Sequence, residues 1–353
     1  MTSQTRYCLE MLPRVSRTFA PAIRILPRGL KIPVTVAYLL FRVADTIEDC
    51  DALSVPQKGE LLDAYARIFH EAGSDELYQF NAKLDILPCR SHDEQLVHNL
   101  PEVLTVFHTF SKPLQTHIAF WVIEMSRGMR KYAQSAKKVR PSFLRTMKEL
   151  DEYTYYVAGT VGYLLTELFS YYSRKITPSA KEKMDRLAES FGKGLQMVNI
   201  IRDMTSDLKR GQSYIPDELL QKYRLNRQSI YDQENADRVE EMLNELIRNA
   251  VKYLDQALDY ILLIPKEEKR IRLFCILPLF WALRTLQKIQ QNTLALLEND
   301  KIKVSRCMIH KEFIVALIHI FSNRLLFSYY VHIRKQFNSL LLTPLSSKAL
   351  SQQ

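Results

Sequence analysis

Two pairs of aspartates, Asp45 with Asp49 in FRVADTIEDC and Asp203 with Asp207 in LQMVNIIRDMTSD, are each spaced four residues apart. On a helix that spacing sets both carboxylates of a pair on one face, one turn apart. Like charges so placed cost an isolated helix roughly 0.2–0.5 kcal/mol. Each pair follows a strongly apolar stretch, so its carboxylates are expected to open onto a partly buried cavity, where uncompensated charge is expensive. A hard divalent cation resolves that conflict. An all-oxygen site with few protein carboxylates suits magnesium (Mg2+), which keeps several waters and takes up substrate phosphate. The neighbours fit the same chemistry: Tyr38, Arg42, Asp45 and Asp49 share one stripe, and Gln196, Asn199, Asp203 and Asp207 share another, with Arg202 adjacent. A guanidinium matches phosphate oxygens two at a time. Two such helices facing each other in a bundle would clamp a diphosphate through bridging magnesium. Either pair alone reads equally well as a solvated acidic face, and Gln196 and Asn199 equally as buried hydrogen-bonding residues. The repetition, with an arginine beside each pair, favours a site.

The elements that must position these residues are helices. From Val34 to Asp49 apolar residues recur at steps of three and four, and Pro33 sits where a first helical turn tolerates it. The same reasoning predicts helices over about 57–70, 94–109, 114–133, 143–173, 179–209, 236–263, 268–297 and 308–335. Pro113, Pro141, Pro178, Pro216 and Pro265 punctuate them. Gly159 and Gly162 fall inside the 143–173 helix, where each costs roughly 1 kcal/mol relative to Ala. Close helix contact or close substrate approach is the expected reason. No alternating run marks a strand. Composition stays even from about residue 10 to 335, which predicts one large domain over 1–335 and a flexible Ser- and Gln-rich tail over 336–353.

Composition narrows the function classes. With 47% hydrophobic residues in 353, a large core is available. Nine glycines are few for a strand-rich fold or a glycine-rich phosphate loop, and neither GxGxxG nor GxxxxGK[ST] occurs. A net charge of +10 calls for an anionic partner. Its densest run, Arg127, Arg130, Lys131, Lys137, Lys138 and Arg140, has no interleaved aromatics and reads as a solvated helix end, so no nucleic acid is expected. The five scattered cysteines and eight histidines show no metal-ligand spacing. With no recognisable leader peptide, they suggest a reduced, cytoplasmic location. The apolar runs Leu273 to Leu283 and Phe313 to Phe321 are shorter than the roughly 20 residues of a membrane span.

The blocks VSRTFA (15–20), FRVADTIED (41–49), YYVAGTVG (155–162) and LQMVNIIRDMTSD (195–207) resemble, in order, the signature blocks of the squalene/phytoene synthase family. The resemblance runs from about Ser16 to Pro278, and FCILP (274–278) with the YVAGTVG and NIIRD wording is nearer its squalene synthases than its phytoene synthases. It implies an all-α, single-domain, isoprenoid synthase-type helical bundle with a central active-site cavity. It also implies head-to-head condensation of two farnesyl diphosphate molecules, through presqualene diphosphate, to squalene, with release of inorganic diphosphate and reduction by NADPH. Asp45, Asp49, Asp203 and Asp207 would then hold magnesium on the diphosphates. Arg17, Arg42 and Arg202 would bind the diphosphates and stabilise departing charge. Tyr153 takes the position of the family's functional tyrosine, in deprotonation or in steering the cation, with diphosphate as the alternative base. Phe19 and Phe274 match positions near the cation, in a cavity that excludes water. Tyr38, Tyr156, Val157, Gln196 and Asn199 complete the substrate contacts. Without the motif match, an aromatic on a helix stripe is ordinary core.

Lys301 and Lys303 lie where squalene synthases carry basic residues for the NADPH phosphate, although KIKVSR is a loose match and surface lysines are the plainer reading. Cys50 replaces an accessory carboxylate of the first motif, and Ser206 stands where an acid usually precedes the last aspartate. No segment matches the C-terminal anchor of eukaryotic members, although 308–335 reads as an apolar final helix able to brush a membrane; peripheral contact at the cytoplasmic membrane face and a monomer are the expectations. The alternatives are a synthase of dehydrosqualene, phytoene or presqualene diphosphate that omits reduction, or a catalytically silent assembly factor. The four intact aspartates and Arg202 argue against the last.

Overall fold

A computed structural model describes residues 1–16, 19–70, 74–135, 142–209, 211–293, 296, 302 and 304–337. The chain divides into two compact units, one of residues 1–140 with 163–174 and one of 141–162 with 175–353.

The first unit is built on helix α3 (Arg28–Asp49), preceded by α1 (Ser3–Val15) and α2 (Phe19–Ile25). Its apolar run is buried on most sides, from Leu30 through Leu39, Leu40 and Val43 to Ile47. It packs against α6 (His92–His98), α7 (Leu100–Phe107) and α8 (Lys112–Ser135). Helix α4 (Val55–His70) lies against α8 and sends the buried Tyr65 hydroxyl to the Leu40 carbonyl at 2.8 Å. α5 (Ser74–Asn81) follows α4. α3 begins six residues before the expected Val34, so Pro33 is interior. The proline withholds only one N–H, that otherwise owed to the Gly29 carbonyl in the second residue of the helix, so the cost is confined to the start of the helix. The expected 94–109 helix is two helices, broken at Asn99 with Pro101 in the opening turn of the second.

The second unit contains α9 (Met147–Thr154), a π-helical turn (Tyr155–Gly159) and the start of α10 (Thr160–Tyr172). The single helix expected over 143–173 therefore carries a π turn in its middle. The 32-residue α11 (Pro178–Lys209) packs along α13 (Ala236–Leu263), against the π turn and against α14 (Lys269–Gln291). α12 (Asp217–Lys222) is short. The expected 308–335 helix divides into α15 (Arg306–His319) and α16 (Asn323–Arg334), because the Ser322 hydroxyl accepts from Leu325 N–H and starts a new helix. Among the described residues the only sheet is two residues wide, Ser142–Phe143 pairing in parallel with Gln212–Ser213, so the all-helical expectation stands.

Two glycines fix how α11 meets the π turn and the start of α10. A Cβ on Gly192 would lie 1.9 Å from the Ala158 carbonyl oxygen, and one on Gly162 would lie 1.9 Å from that of Ala188. Backbone touches backbone at both points.

Candidate active site

In the first unit the acidic pair ends α3. Arg42 is tied down twice: its Nε donates to Asp93 Oδ1 at 2.7 Å and its Nη1 donates to Asp45. Asp93 is held by a capping box at the start of α6, in which the Ser91 hydroxyl accepts from Glu94 N–H and the Glu94 carboxylate accepts from Ser91 N–H at 2.7 Å. A capping signal in SHDE therefore delivers a carboxylate to the guanidinium beside the first aspartate. Sequence reasoning passed over Asp93, although the Ser-x-x-Glu pattern was there to be read.

Burial and the Asp49 and Asp93 charges outweigh Arg42 and push the Asp45 carboxyl up to about 6. The Asp45 side chain is still 31% exposed, so it lies in a concave, partly open setting rather than in sealed core. Burial, followed by Asp49 and Asp45, raises Glu48 well above the usual carboxylate range, while Lys58, which donates to the Glu48 carbonyl, opposes it. The end of α3 thus concentrates more negative charge than its cations compensate.

Upstream on the same stripe, burial raises the Tyr38 hydroxyl, which is hydrogen-bonded to the Ser16 side chain. The Phe19 and Tyr38 ring centroids are 6.1 Å apart. Ser16 also accepts from Phe19 N–H at 3.1 Å, so one hydroxyl fixes both the start of α2 and the tyrosine. Sequence reasoning had not singled it out. Arg17 lies outside the described residues, as do Lys301 and Lys303.

In the second unit α11 carries the other acidic pair. Arg202 grips Asp203 with a two-pronged contact, Nε to Oδ1 at 2.9 Å and Nη2 to Oδ2. That hydrogen bonding, with the Asp203 and Asp207 charges, raises the Arg202 guanidinium against the opposing effect of burial. Ser206, in place of an acid, donates to the Asp203 carbonyl at 2.8 Å. Asp207 is buried, at 6% exposure. One turn and two turns earlier Asn199 donates to Gln196 at 3.3 Å, so both predicted amides lie together on the stripe.

Tyr153, at 5% exposure, stacks on Tyr214, with centroids 4.8 Å apart and planes at 21°. Tyr156 and Val157 lie in the π turn, half-buried, and Tyr156 meets Tyr155 edge-on at 5.0 Å. π turns inside helices are frequent at functional sites. Phe274 is buried in α14. A cavity of about 540 Å³ between α9, α11 and α13 is lined by Lys148, Asp151, Met197, Glu245 and Tyr253 among others, and takes in none of the four aspartates.

Among the described residues no group of three or more His, Cys, Asp or Glu encloses a metal. Magnesium needs no such cage, since one or two carboxylates with water and substrate phosphate suffice. The crowded carboxylates at the end of α3 form a donor set that fits this ion: oxygen ligands, excess negative charge and an open side.

Residues 12–307 match the model of the squalene/phytoene synthase family. The chain belongs to that family. It is 30% identical over 298 residues to the squalene synthase of Schizosaccharomyces pombe, covering 84% of this chain and 62% of that one. It is 30% identical over 292 residues to that of Homo sapiens, covering 83% and 65%. The chain thus spans a little under two thirds of the length of these relatives. In fold it is similar to TcSQS solved with the ligand E5700, at a TM-score of 0.80 and 22% identity over 96% of this chain and 93% of that one. A dehydrosqualene synthase in complex with ligand gives a TM-score of 0.62 at 20% identity, covering 93% and 97%. These likenesses establish an isoprenoid synthase-type helical fold.

Proposed function

We propose that this protein is a magnesium-dependent prenyltransferase that condenses two farnesyl diphosphate molecules head to head, through presqualene diphosphate, to squalene. The observation that carries the reading is the pairing of an arginine with the leading aspartate of each acidic stripe, Arg42 with Asp45 and Arg202 with Asp203. Family membership supplies the reaction class, and the sequence likeness to squalene synthases favours the reduced product.

Asp45, Asp49, Asp203 and Asp207 would hold magnesium, and Arg42, Arg202 and Arg17 would bind diphosphate oxygens. Magnesium, when bound, would neutralise diphosphate charge, and NADPH would supply the hydride that ends the reaction. In the first step the C1–O bond of one substrate breaks and its diphosphate leaves. The 2,3 double bond of the second substrate attacks the allylic cation, and a proton is lost as the cyclopropane closes. Arg42 arrives already oriented by Asp93, so little ordering remains to be done when the diphosphate binds. Tyr153, stacked on Tyr214, would steer the cation or take its proton. Phe19 and Phe274 would offer ring faces to a cation and help to exclude water. NADPH would be held in part by Lys301 and Lys303. A monomer working in the cytoplasm completes the reading.

Diphosphate release from farnesyl diphosphate by wild type, Asp45→Asn and Asp203→Asn tests the assignment. Both variants are expected to lose turnover by at least about 10³-fold with unchanged helical circular dichroism. Near-normal turnover in either overturns the metal and diphosphate roles.

A further inference from the structure

Helix α15 turns an apolar stripe outward. Ile314, Leu317, Ile318 and Phe321 follow the spacing of a single helical stripe, yet are 59%, 40%, 58% and 54% exposed. Leu325, opening α16, adds a fifth apolar side chain at 49%. The face of α15 turned inward carries Glu312, fully buried, which accepts from Arg284 Nε at 2.7 Å and from the Tyr329 hydroxyl. A surface helix in water does the reverse, hiding its apolar stripe and showing its carboxylates. The hairpin is also held firmly from within. Arg272, at 0% exposure, donates to the Ile264 carbonyl at 2.7 Å and to Asn323 at 2.8 Å, while Arg334 forks onto Asp255 at 2.8 and 2.9 Å. The apolar stripe is therefore presented outward by a rigid frame and is not a frayed end.

Charge decides what covers it. Between residues 306 and 337 the only acidic residue is the buried Glu312, whereas Arg306, Lys311, Arg324 and Lys335 are exposed. Lys269 adds a fifth cation, its Nζ 4.6 Å above the Phe321 ring. A second copy of the chain would bring the same positive fringe to the same face, and like charges would oppose it. An anionic lipid surface offers both complements at once, acyl chains for the stripe and headgroups for the cations. No helix among the described residues is long and apolar enough to cross a membrane, so the contact lies in the plane of the interface.

We infer that the α15–α16 hairpin is a docking surface for anionic membranes, seating Ile314, Leu317, Ile318, Phe321 and Leu325 at the level of the acyl chains. The inference is independent of the catalytic reading, because it uses none of the residues assigned there.

Co-sedimentation of the full chain with phosphatidylserine–phosphatidylcholine vesicles, against pure phosphatidylcholine, is the test. Wild type is expected to pellet with the anionic vesicles. Ile318→Asp with Phe321→Asp should weaken the partition about tenfold or more at an unchanged Tm, since both positions face outward. Lys311→Glu with Arg324→Glu should also weaken it about tenfold and flatten its salt dependence. Failure of wild type to pellet, or equal pelleting of the apolar double variant, overturns the inference. So does equal binding to both vesicle types, or a dimer in solution that Ile318→Asp with Phe321→Asp disperses without any vesicle binding.

Discussion

Asp93, in the first turn of α6, accepts from Arg42 Nε at 2.7 Å, while the same guanidinium reaches Asp45 through Nη1. Arg42 is thereby held between two helices with one edge fixed. Asp93→Asn leaves the shape and removes the charge that aims the guanidinium. A loss of about 10–100-fold in kcat/KM for farnesyl diphosphate is expected, the usual scale for a partner that orients a site residue. Both side chains are about 30% exposed, so Tm should hardly move. Steady-state kinetics with a thermal melt separates the two effects, and an unchanged kcat/KM would show that Asp93 does not position Arg42.

Tyr153 is buried against Tyr214 at 4.8 Å, so its ring is fixed by packing whatever its hydroxyl does. Tyr153→Phe keeps that stack. Its expected outcome is a fall in kcat of about 10²-fold with farnesyl diphosphate binding within about twofold of wild type. Equal losses in turnover and in binding would make the hydroxyl a structural group.

Gly192→Ala would drive a Cβ to 1.9 Å from the Ala158 carbonyl oxygen, a contact with backbone that no rotamer can relieve. α11 must then move away from the π turn. Destabilisation of about 1–3 kcal/mol follows from overpacking on this scale, read as a lower midpoint in urea. The π turn bears Tyr156 and Val157, so prenyl diphosphate turnover should fall with it. A variant as stable and active as wild type would mean that the turn yields freely.

Burial first, then the neighbouring Asp255 charge, pushes the Asp259 carboxyl up to about 6. Its folded value lies above the unfolded one, so the folded state holds the extra proton. Stability on this account is greatest at pH below about 4 and falls as pH rises through about 6. Asp259→Asn should raise Tm at pH 7.5 by about 1–2 °C, with solvent screening taken into account, and leave it unchanged near pH 4. Tm measured across pH 4–8 checks the sign, and a variant with a lower Tm at pH 7.5 would refute it.

Much of this arrangement was legible in the sequence because it is periodic. The four-residue spacing of each aspartate pair placed both on helices, and the α13 expectation of 236–263 coincides with Ala236–Leu263. What escaped was set by local chemistry or by contacts distant in sequence. Ser322 capping Leu325 divides a run that reads as one apolar helix. The π turn at Tyr155–Gly159 keeps the chain helical and so reads as part of one helix, and Gly192, which receives it, lies 33 residues beyond Gly159. Asp93 sits 51 positions from Arg42, so spacing alone gives no sign of their pairing. The apolar character of 308–335 was legible, but which face of α15 turns outward was not, because burial of Glu312 depends on Arg284, 28 residues away.

The central claim is head-to-head condensation ending in reduction. The measurement is to incubate the purified protein with farnesyl diphosphate and magnesium, with and without NADPH, and to identify the extracted products by mass. Squalene with NADPH, and presqualene diphosphate or a dehydrogenated C30 product without it, is the predicted result. Products that do not change with NADPH would contradict the reductive step, and no consumption of farnesyl diphosphate under either condition would contradict the account as a whole.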